Sequence, residues 1–236
     1  MLTYDTLSIG EATQLQNEMR EHIVLQPLQK EIKTIAGADI SFNKYETKVY
    51  AGIVVLDYPQ MTVKHYALAE FETTFPYVSG YLAFREIPAL LQAWQLLPQK
   101  PDVVVLDGQG ITHPRRMGIA SHFGVLENWP TIGCAKSMLF GKFDPLEESK
   151  FSTQPIYGKG ELMGHALRTK DKVQPVYVSP GHLVTAEQSL EIIKHCVGKY
   201  RIPEPTRRAH EKVNEFRTGK LKAGFHLGNE HPTLFG

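Results

Sequence analysis

A run of four apolar residues that ends in an aspartate constrains the fold of this chain more than any other segment. Val103–Leu106 predicts a buried strand, and Asp107 follows at its C-terminal end. A second run, 48–57, has apolar residues on both alternating sets, which is typical of a strand covered on both faces. A carboxylate at a strand end suits Mg²⁺, because that ion prefers oxygen ligands. These runs predict a covered sheet with an acidic edge.

The loop after this strand combines features that suit a phosphate. Gly108 and Gly110 would let a phosphate backbone approach closely. His113, Arg115 and Arg116 follow with no acidic residue among them, and arginine pairs well with phosphate oxygens. A metal ligand, phosphate-binding side chains and a reachable backbone in one loop indicate phosphodiester chemistry.

The pattern of elements predicts a mixed α/β sheet flanked by helices. Three strand-like runs, the last two separated by a short turn at Tyr58-Pro59-Gln60, predict an antiparallel meander over 34–42, 48–57 and 62–72. Helices then alternate with strands, which predicts a parallel part of the sheet. The alternating elements are the helix 83–97, the strand 103–107, the helix 117–127 and the strand 131–134.

The remaining segments complete one predicted domain over residues 1–236. A capping box at Ser8 starts a first helix that should stop before Pro27. Residues 136–160 are expected to be a loop-rich insert, and the tail after about 217 has no assigned element. Further strands are predicted over 161–168 and 175–179, and further helices over 185–199 and 205–216.

The composition is that of an ordinary globular protein, with 42% apolar and 22% charged residues among 236. There is no apolar run long enough to span a bilayer and no secretory signal, so we expect a cytoplasmic monomer with two reduced cysteines and no membrane partner. The net charge is only +1, yet the section from Lys194 to Lys222 contains nine lysines and arginines and only three glutamates. That section suits a polyanion, and a solvated helix face explains it equally well.

Three carboxylates fall where they could hold metal. Asp39 lies in the first strand, Glu86 near the start of the helix after the third strand, and Asp107 at the end of the fourth strand. If the first and fourth strands are neighbours, the acids meet and could hold one or two divalent ions that activate water. Judged alone, Asp107 is more often a turn former, and Glu86 beside Arg85 could form only a surface ion pair.

Three other side chains are candidates for contact with nucleic acid. Tyr77 is predicted at the tip of a loop bent by Gly80, where it could stack on a base or enter a duplex as a wedge, although core packing is the simpler alternative. Lys136 ends a strand and could meet a phosphate. His210 could contact a metal-bound water, or be an ordinary surface histidine.

Taken together, several segments resemble the endonuclease V family, repair nucleases that act at deaminated adenine. They occur in family order over roughly 30–212. The matching segments are Gly37-Ala-Asp-Ile-Ser41, Pro76-Tyr77, Gly80-Tyr-Leu-Ala-Phe-Arg-Glu86, Asp107-Gly-Gln-Gly110, His113-Pro-Arg115, Gly118-Ile-Ala-Ser-His-Phe-Gly-Val125, Gly133-Cys-Ala-Lys-Ser137 and Ser179-Pro-Gly-His182.

The resemblance implies an RNase H-like fold and a DNA repair activity. The expected reaction is Mg²⁺-dependent cleavage of DNA at the second phosphodiester bond 3′ to deoxyinosine, which leaves 3′-hydroxyl and 5′-phosphate ends; Mn²⁺ is expected to substitute. By resemblance, Asp39 and Asp107 are metal ligands and Glu86 is the third acid. Lys136 lies near the scissile phosphate and His210 beside the attacking water.

The resemblance also implies which residues contact DNA. Tyr77 is the expected strand-separating wedge, and Gly110 and His113 should border the flipped base. Gly80, Arg85 and Arg115 complete the expected contacts.

One departure from the family pattern concerns the wedge. Many members carry Pro-Tyr-Ile-Pro, whereas this chain has Pro76-Tyr77-Val78-Ser79, so its wedge tip is expected to be less preorganised. Expected partners are DNA with deoxyinosine or other deaminated bases, single-stranded nucleic acid and RNA. Two alternatives stay open: an endoribonuclease acting at inosine in RNA, and a non-catalytic nucleic-acid-binding module of the same fold.

Overall fold

A nine-stranded mixed sheet forms the centre of the molecule in the computed structural model, which describes residues 2–43 and 46–228. The strands are β1 (Thr34–Phe42), β2 (Lys48–Asp57), β3 (Val63–Glu72), β4 (Val103–Leu106), β5 (Thr131–Ala135), β6 (Thr153–Gly158), β7 (Glu161–Leu167), β8 (Val176–His182) and β9 (Gly224–Leu227). The helices are α1 (Ile9–Arg20), α2 (Leu82–Leu96), α3 (Ile119–Glu127), α4 (Ala186–His195) and α5 (Glu204–Arg217).

The sheet has a parallel centre between antiparallel wings. The strand order is β6-β7-β8-β5-β4-β1-β2-β3-β9, in which β1, β4 and β5 are parallel neighbours. The meander of β1, β2 and β3 is antiparallel, as predicted from the sequence. The condition for Asp39 and Asp107 to meet is fulfilled, because the first and fourth strands are neighbours and Ala38 on β1 pairs with Leu106 on β4.

Helices cover both faces of the sheet and divide the core into two layers. On one face α2 and α3 bury Phe84, Trp94 and Phe123 together with Tyr4 near the N-terminus. On the other face α4 and α5 contribute Ile193 and other apolar side chains. Burial of apolar surface on both sides is the main stabilising contribution to such a layered fold. The apolar run of β4 is completely covered, as its sequence predicts.

Local sequence signals set several element boundaries. Ser8 accepts from the Glu11 backbone N–H while the Glu11 carboxylate accepts from Ser8, so the predicted capping box is present. The first helix ends at Arg20, well before Pro27. Pro88 lies inside α2 rather than at its end. No helix among residues 2–43 and 46–228 has the length and apolar character that crossing a bilayer requires.

Two strands lie in segments for which the sequence predicted none. The expected loop over 136–160 contains β6, which forms a hairpin with β7. Pro155 argued against a strand here, because proline is tolerated in a sheet only at its edges. The structure accommodates it because β6 is an edge strand. The unassigned tail contains β9, a four-residue strand that pairs with the outer edge of β3. Part of that tail, residues 229–236, lies outside the described residues.

Candidate active site

Two aspartates meet at the carboxyl ends of the central parallel strands. The backbone N–H of Asp107 donates to the carbonyl of Ala38 at 3.0 Å, so the residue after β4 lies beside Asp39 on β1. Asp39 is buried and Asp107 is partly buried. Burial, and then the neighbouring Asp39, raise the pKa of Asp107, whereas Lys136 opposes this rise. The register of two parallel strands thus concentrates negative charge at one point.

Helix α5 brings His210 to the same point. Its start packs directly on β1, because a Cβ at Gly37 would lie 1.8 Å from the carbonyl oxygen of Pro205. Only glycine allows this approach. His210 Nδ1 lies 2.7 Å from Asp39 Oδ2, and this hydrogen bond is the leading cause of the raised pKa of His210. One ligand-type atom from each of Asp39, Asp107 and His210 lies within 4.8 Å of the others.

Lys136 completes the charge balance from β5. It follows the last residue of that strand, and its ammonium group forms an ion pair with the Asp107 carboxylate. Burial alone would lower the pKa of Lys136, but the Asp107 and Asp39 carboxylates outweigh it and raise the pKa. A cation on a flexible side chain that is 43% exposed can also reach a substrate phosphate.

Glu86 adds a third carboxyl group from the first turns of α2. It is partly buried, and its pKa is raised to about 8 by burial and then by the charges of Asp39 and Asp107. The three acids thus lie close enough to repel one another electrostatically. Glu86 is not part of the compact group formed by Asp39, Asp107 and His210.

This donor set fits a divalent metal ion. Carboxylate oxygens are the preferred ligands of Mg²⁺ and also suit Mn²⁺. The raised pKa values of Glu86 and Asp107 indicate negative charge that the protein groups leave uncompensated. A bound cation would compensate that charge and favour the ionised carboxylates. Asp39 and Asp107 are the residues best placed to hold it.

A cavity of about 380 Å³ opens next to the acids. Its volume lies in the range of sites that hold small molecules, about 300–1,000 Å³. Glu86, Asp107 and Lys136 line one side. The other walls come from the wedge loop (residues 76–81), the loop after β4 and the loop after β5, and they include Gly80, Gly108, Gln109, His113, Met117, Gly118, Ile119 and Leu139.

His113 is a buried wall of this cavity with both ring nitrogens occupied. Nε2 lies 3.0 Å from the Gly80 carbonyl oxygen, and Nδ1 accepts from the backbone N–H groups of Arg115 and Met117 at 3.2 and 3.4 Å. Nε2 therefore carries the hydrogen. Burial lowers the pKa of His113 to about 4, so the imidazole is neutral at pH 7. It fixes loop geometry while presenting its ring to the cavity.

The Gly80 carbonyl group links the wedge loop to the rest of the site by hydrogen bonds. The Gly80 carbonyl oxygen accepts from His113, from the Gln16 amide at 2.9 Å and from the Arg115 guanidinium at 3.0 Å. Gly80 has φ +82°, and the Tyr81 N–H donates to the Val78 carbonyl at 3.0 Å. This is the signature of a type II turn with glycine at its third position. The observed role of Gly80 and Arg115 is therefore to hold this loop in place.

The remaining expected DNA contacts fall in different surroundings. Tyr77 is 65% exposed at the loop tip, with its ring 5.8 Å from that of Phe42, so core packing is excluded. Arg85 is buried and donates to the backbone carbonyls of Phe75 and Glu46. Its guanidinium therefore supports the loop from inside and is out of reach of DNA. Gly110 is also buried, against the Pro180 carbonyl, and does not line the cavity.

One residue that the sequence did not single out belongs to the site. Asn214, one turn after His210, donates from Nδ2 to the His210 ring at 3.0 Å and to the His210 carbonyl at 2.9 Å. Ser41 donates to its side-chain oxygen at 3.2 Å, which fixes the orientation of the amide. The i,i+4 spacing from a candidate histidine on a predicted helix was the available signal.

Comparison with known proteins agrees with this geometry. The family model described as Endonuclease V matches residues 17–211. The Endonuclease V of Myxococcus xanthus is 48% identical over 209 residues, which cover 88% of this chain and 89% of that protein. That of Trichormus variabilis is 45% identical over 204 residues, which cover 86% and 92%.

Solved structures are similar over the same region. The Endonuclease V of Streptomyces avermitilis superposes with a TM-score of 0.84 at 38% identity and covers 89% of this chain and 93% of its own. That of Ciona intestinalis, in complex with DNA containing an inosine followed by a ribo-adenosine, gives 0.77 at 34% and covers 88% and 95%. This chain belongs to the Endonuclease V family.

Proposed function

We propose that this protein is a Mg²⁺-dependent endonuclease that nicks DNA at the second phosphodiester bond 3′ to deoxyinosine and leaves 3′-hydroxyl and 5′-phosphate ends. The observation that carries the proposal is the group formed by Asp39, Asp107 and His210, whose ligand-type atoms lie within 4.8 Å of one another next to a cavity that Asp107 lines. A nuclease that acts at a damaged base needs both the side-chain group and the cavity, because it must hold the base and cut a bond beside it.

Each side chain of the group has a distinct chemical task. Asp39 and Asp107 would hold the ion, which supplies charge stabilisation and an acidified water when bound. His210, held by Asp39, orients the attacking water and can take its proton. Lys136 can leave Asp107 to pair with the phosphate at the cut bond. Glu86 adds a third carboxylate once its proton is lost.

The cavity is the proposed site for the extruded base. Its walls combine an apolar lining from Met117 and Ile119 with polar backbone from Gly108 and Gln109. Such walls can enclose a flat base and read its edge through hydrogen bonds. Extrusion is cheapest for a weakly paired base, which favours a deaminated one. Tyr77, exposed beside this cavity, could fill the space that the base leaves in the duplex.

Cleavage of an oligonucleotide with a single deoxyinosine, with Mg²⁺ or with a chelator, tests the proposal. Asp107→Asn should abolish nicking and retain binding. Asp57→Asn is the matched control, because Asp57 also ends a strand but forms an exposed ion pair with Lys64. Nicking by the Asp107 variant, or in chelator, would refute the metal mechanism. Binding without any Mg²⁺-dependent product would instead indicate the non-catalytic module.

A second candidate substrate is inosine in RNA. The similar Ciona intestinalis protein was crystallised with a ribo-adenosine directly after the inosine. The 2′-hydroxyl distinguishes RNA from DNA at a given position. Matched DNA, RNA and single-ribonucleotide substrates, compared by kcat/KM at one salt concentration, separate the two. Preference for the all-RNA substrate would replace the deoxyribonuclease assignment.

A further inference from the structure

A second cavity, of about 400 Å³, lies on the far side of His113. It is bounded by the end of α1, the loop after β4 and the hairpin of β6 and β7. Among the described residues, His113 is the one lining residue that it shares with the active-site cavity, and Asp107 and Lys136 do not line it. The two cavities are therefore adjacent at His113, and the acids Glu86 and Asp107 line only the first of them. We call the second one the cationic groove.

Basic side chains from three elements line the cationic groove. Arg20, Arg116 and Lys159 belong to α1, the loop after β4 and the hairpin. Two carboxylates are also present, and each forms an ion pair: Glu21 with Arg20 at 2.9 Å, and Glu161 with Arg116.

Both pairing carboxylates are solvent-exposed. The side chains of Glu21 and Glu161 are 71% and 51% exposed. Such exposed pairs are weak, so a phosphate could replace either carboxylate at little cost. The groove can therefore present its cations to an incoming polyanion.

Lys159 lies in the tight turn that joins β6 and β7. Lys159 and Gly160 form the two-residue turn of the hairpin, because Gly158 pairs with Glu161. Their φ values are +53° and +82°, as in a type I′ turn. Asparagine or glycine is preferred at the first position of such turns, and a lysine there costs on the order of 1 kcal/mol.

Arg116 shows the same feature in a separate loop, with φ +61°. Two independent loops thus hold a long cationic side chain in a left-handed conformation on one groove. Strained residues of this kind cluster at ligand sites, where the surroundings maintain them. The convergence of Arg20, Arg116 and Lys159 on one groove is the observation that points to an anionic ligand.

We propose that the cationic groove holds the phosphate backbone of the cleaved strand on the 5′ side of the inosine, which deepens the proposed function and rests on it. If cleavage is 3′ to the base, the 3′ part of the strand passes the acids. The strand on the opposite side of the base then continues past His113, where Arg116 and Lys159 meet it. Lysine and arginine bind a backbone without regard to its sequence.

The test compares two substrates that have the same 3′ flank. One has a minimal 5′ flank, and the other has a 5′ flank long enough to cross the groove. The variant is Arg116→Asn with Lys159→Asn. Asparagine tolerates the left-handed conformation, so both turns should keep their shape while two charges are lost. Lys172→Asn is the matched control, because Lys172 is a lysine with φ +59° that lines neither cavity.

The wild-type protein and the control should show a KM lower on the order of 10-fold for the long flank. The double variant should lose this preference without a fall in Tm, and its salt dependence should decrease by about 1.4 in log–log slope for a single strand. Glu161→Gln should strengthen the preference. A double variant that keeps the preference, or a wild type that cuts both substrates equally, overturns the inference. A wild type that cuts neither contradicts the proposed function itself.

Discussion

His210 donates a hydrogen bond from Nδ1 to Asp39, at 2.7 Å between the nitrogen and Oδ2. The direction follows from the other side of the ring, because the Asn214 NH₂ group can only donate to Nε2. The His210 backbone carbonyl, which can only accept, holds the NH₂ group on that side at 2.9 Å. A histidine with its hydrogen directed at Asp39 is suited to orient a water and to accept its proton through Nε2 after Asn214 moves.

Replacing Asn214 by leucine tests whether this amide positions the histidine. Without the donor, the ring keeps its bond to Asp39 but loses the contact that limits its rotation about that bond, so kcat for the inosine substrate should fall about 10-fold while KM stays within about 2-fold. Steady-state kinetics measure this split. Gln14→Leu on α1, which removes an exposed amide bonded to Glu18, should leave both constants unchanged. A raised KM with intact kcat in the Asn214→Leu variant would contradict the positioning role.

The stability of the metal-free protein should decrease as the pH rises through the range set by Glu86. Its pKa is 4.5 when unperturbed and about 8 in the folded state. Between these values the folded protein holds a proton that the unfolded chain has released, so unfolding is favoured with rising pH by at most about 1.4 kcal/mol per unit. Above about pH 8 both states are ionised and the dependence ends.

Chemical denaturation of wild-type protein and Glu86→Gln from pH 5 to pH 9 measures this effect. The glutamine variant should lose the part of the slope that Glu86 contributes and should be the more stable protein at high pH, because it carries no charge next to Asp39 and Asp107. Addition of Mg²⁺ should stabilise the wild type most at high pH, since binding favours the folded, ionised state. Parallel stability curves for the two proteins would show that Glu86 is ionised in the fold at neutral pH.

The sequence predicted the site residues whose positions depend only on one strand and its C-terminal end. Val103–Leu106 is apolar throughout and Asp107 must follow it, so a site at this edge could be anticipated. The meeting of Asp39 and Asp107 required only that the two strands be parallel neighbours. The sequence left that neighbourhood as a condition, and the register of β1 and β4 supplies it.

Features set by long-range packing could not be obtained in the same way. The family resemblance made Arg85 an expected DNA contact, but tertiary packing directs its guanidinium to two backbone carbonyls. Strand β9 has four residues and depends on the exposed edge of β3, so no local pattern reveals it. The approach of α5 to Gly37, which places His210, is likewise a contact between distant segments.

Tyr77 should matter for duplex substrates more than for single strands. Its ring is 65% exposed and contacts Phe42 at the tip of the loop, so Tyr77→Ala removes a wedge without disturbing the core. We expect kcat/KM for inosine in a duplex to fall about 10-fold and that for single-stranded substrate to change little, because only the duplex requires base separation. Tyr157→Ala, at another exposed position on β6, serves as the control. Equal losses on both substrates would assign Tyr77 to general binding.

Ser79→Pro should make the wedge loop more rigid. Ser79 occupies the second position of the turn closed by the Tyr81 N–H and the Val78 carbonyl, and Gly80 has φ +82° at the third. Proline is favoured at the second position of a type II turn. No hydrogen bond from the Ser79 N–H occurs within the described chain, so none is lost on substitution.

The expected gain is about 0.4–1 kcal/mol in the free energy of unfolding, because proline reduces the freedom of the unfolded chain. A more rigid loop should also hold Tyr77 ready, so KM for duplex substrate should fall while the single-strand KM stays constant. Thermal unfolding and kinetics on the two substrates measure these effects. Combining Ser79→Pro with Tyr77→Ala separates them: the stability gain should remain and the duplex advantage should vanish, since a rigid loop without its ring has nothing to insert. A duplex advantage that survives in the double variant would show that the loop backbone, rather than Tyr77, opens the helix.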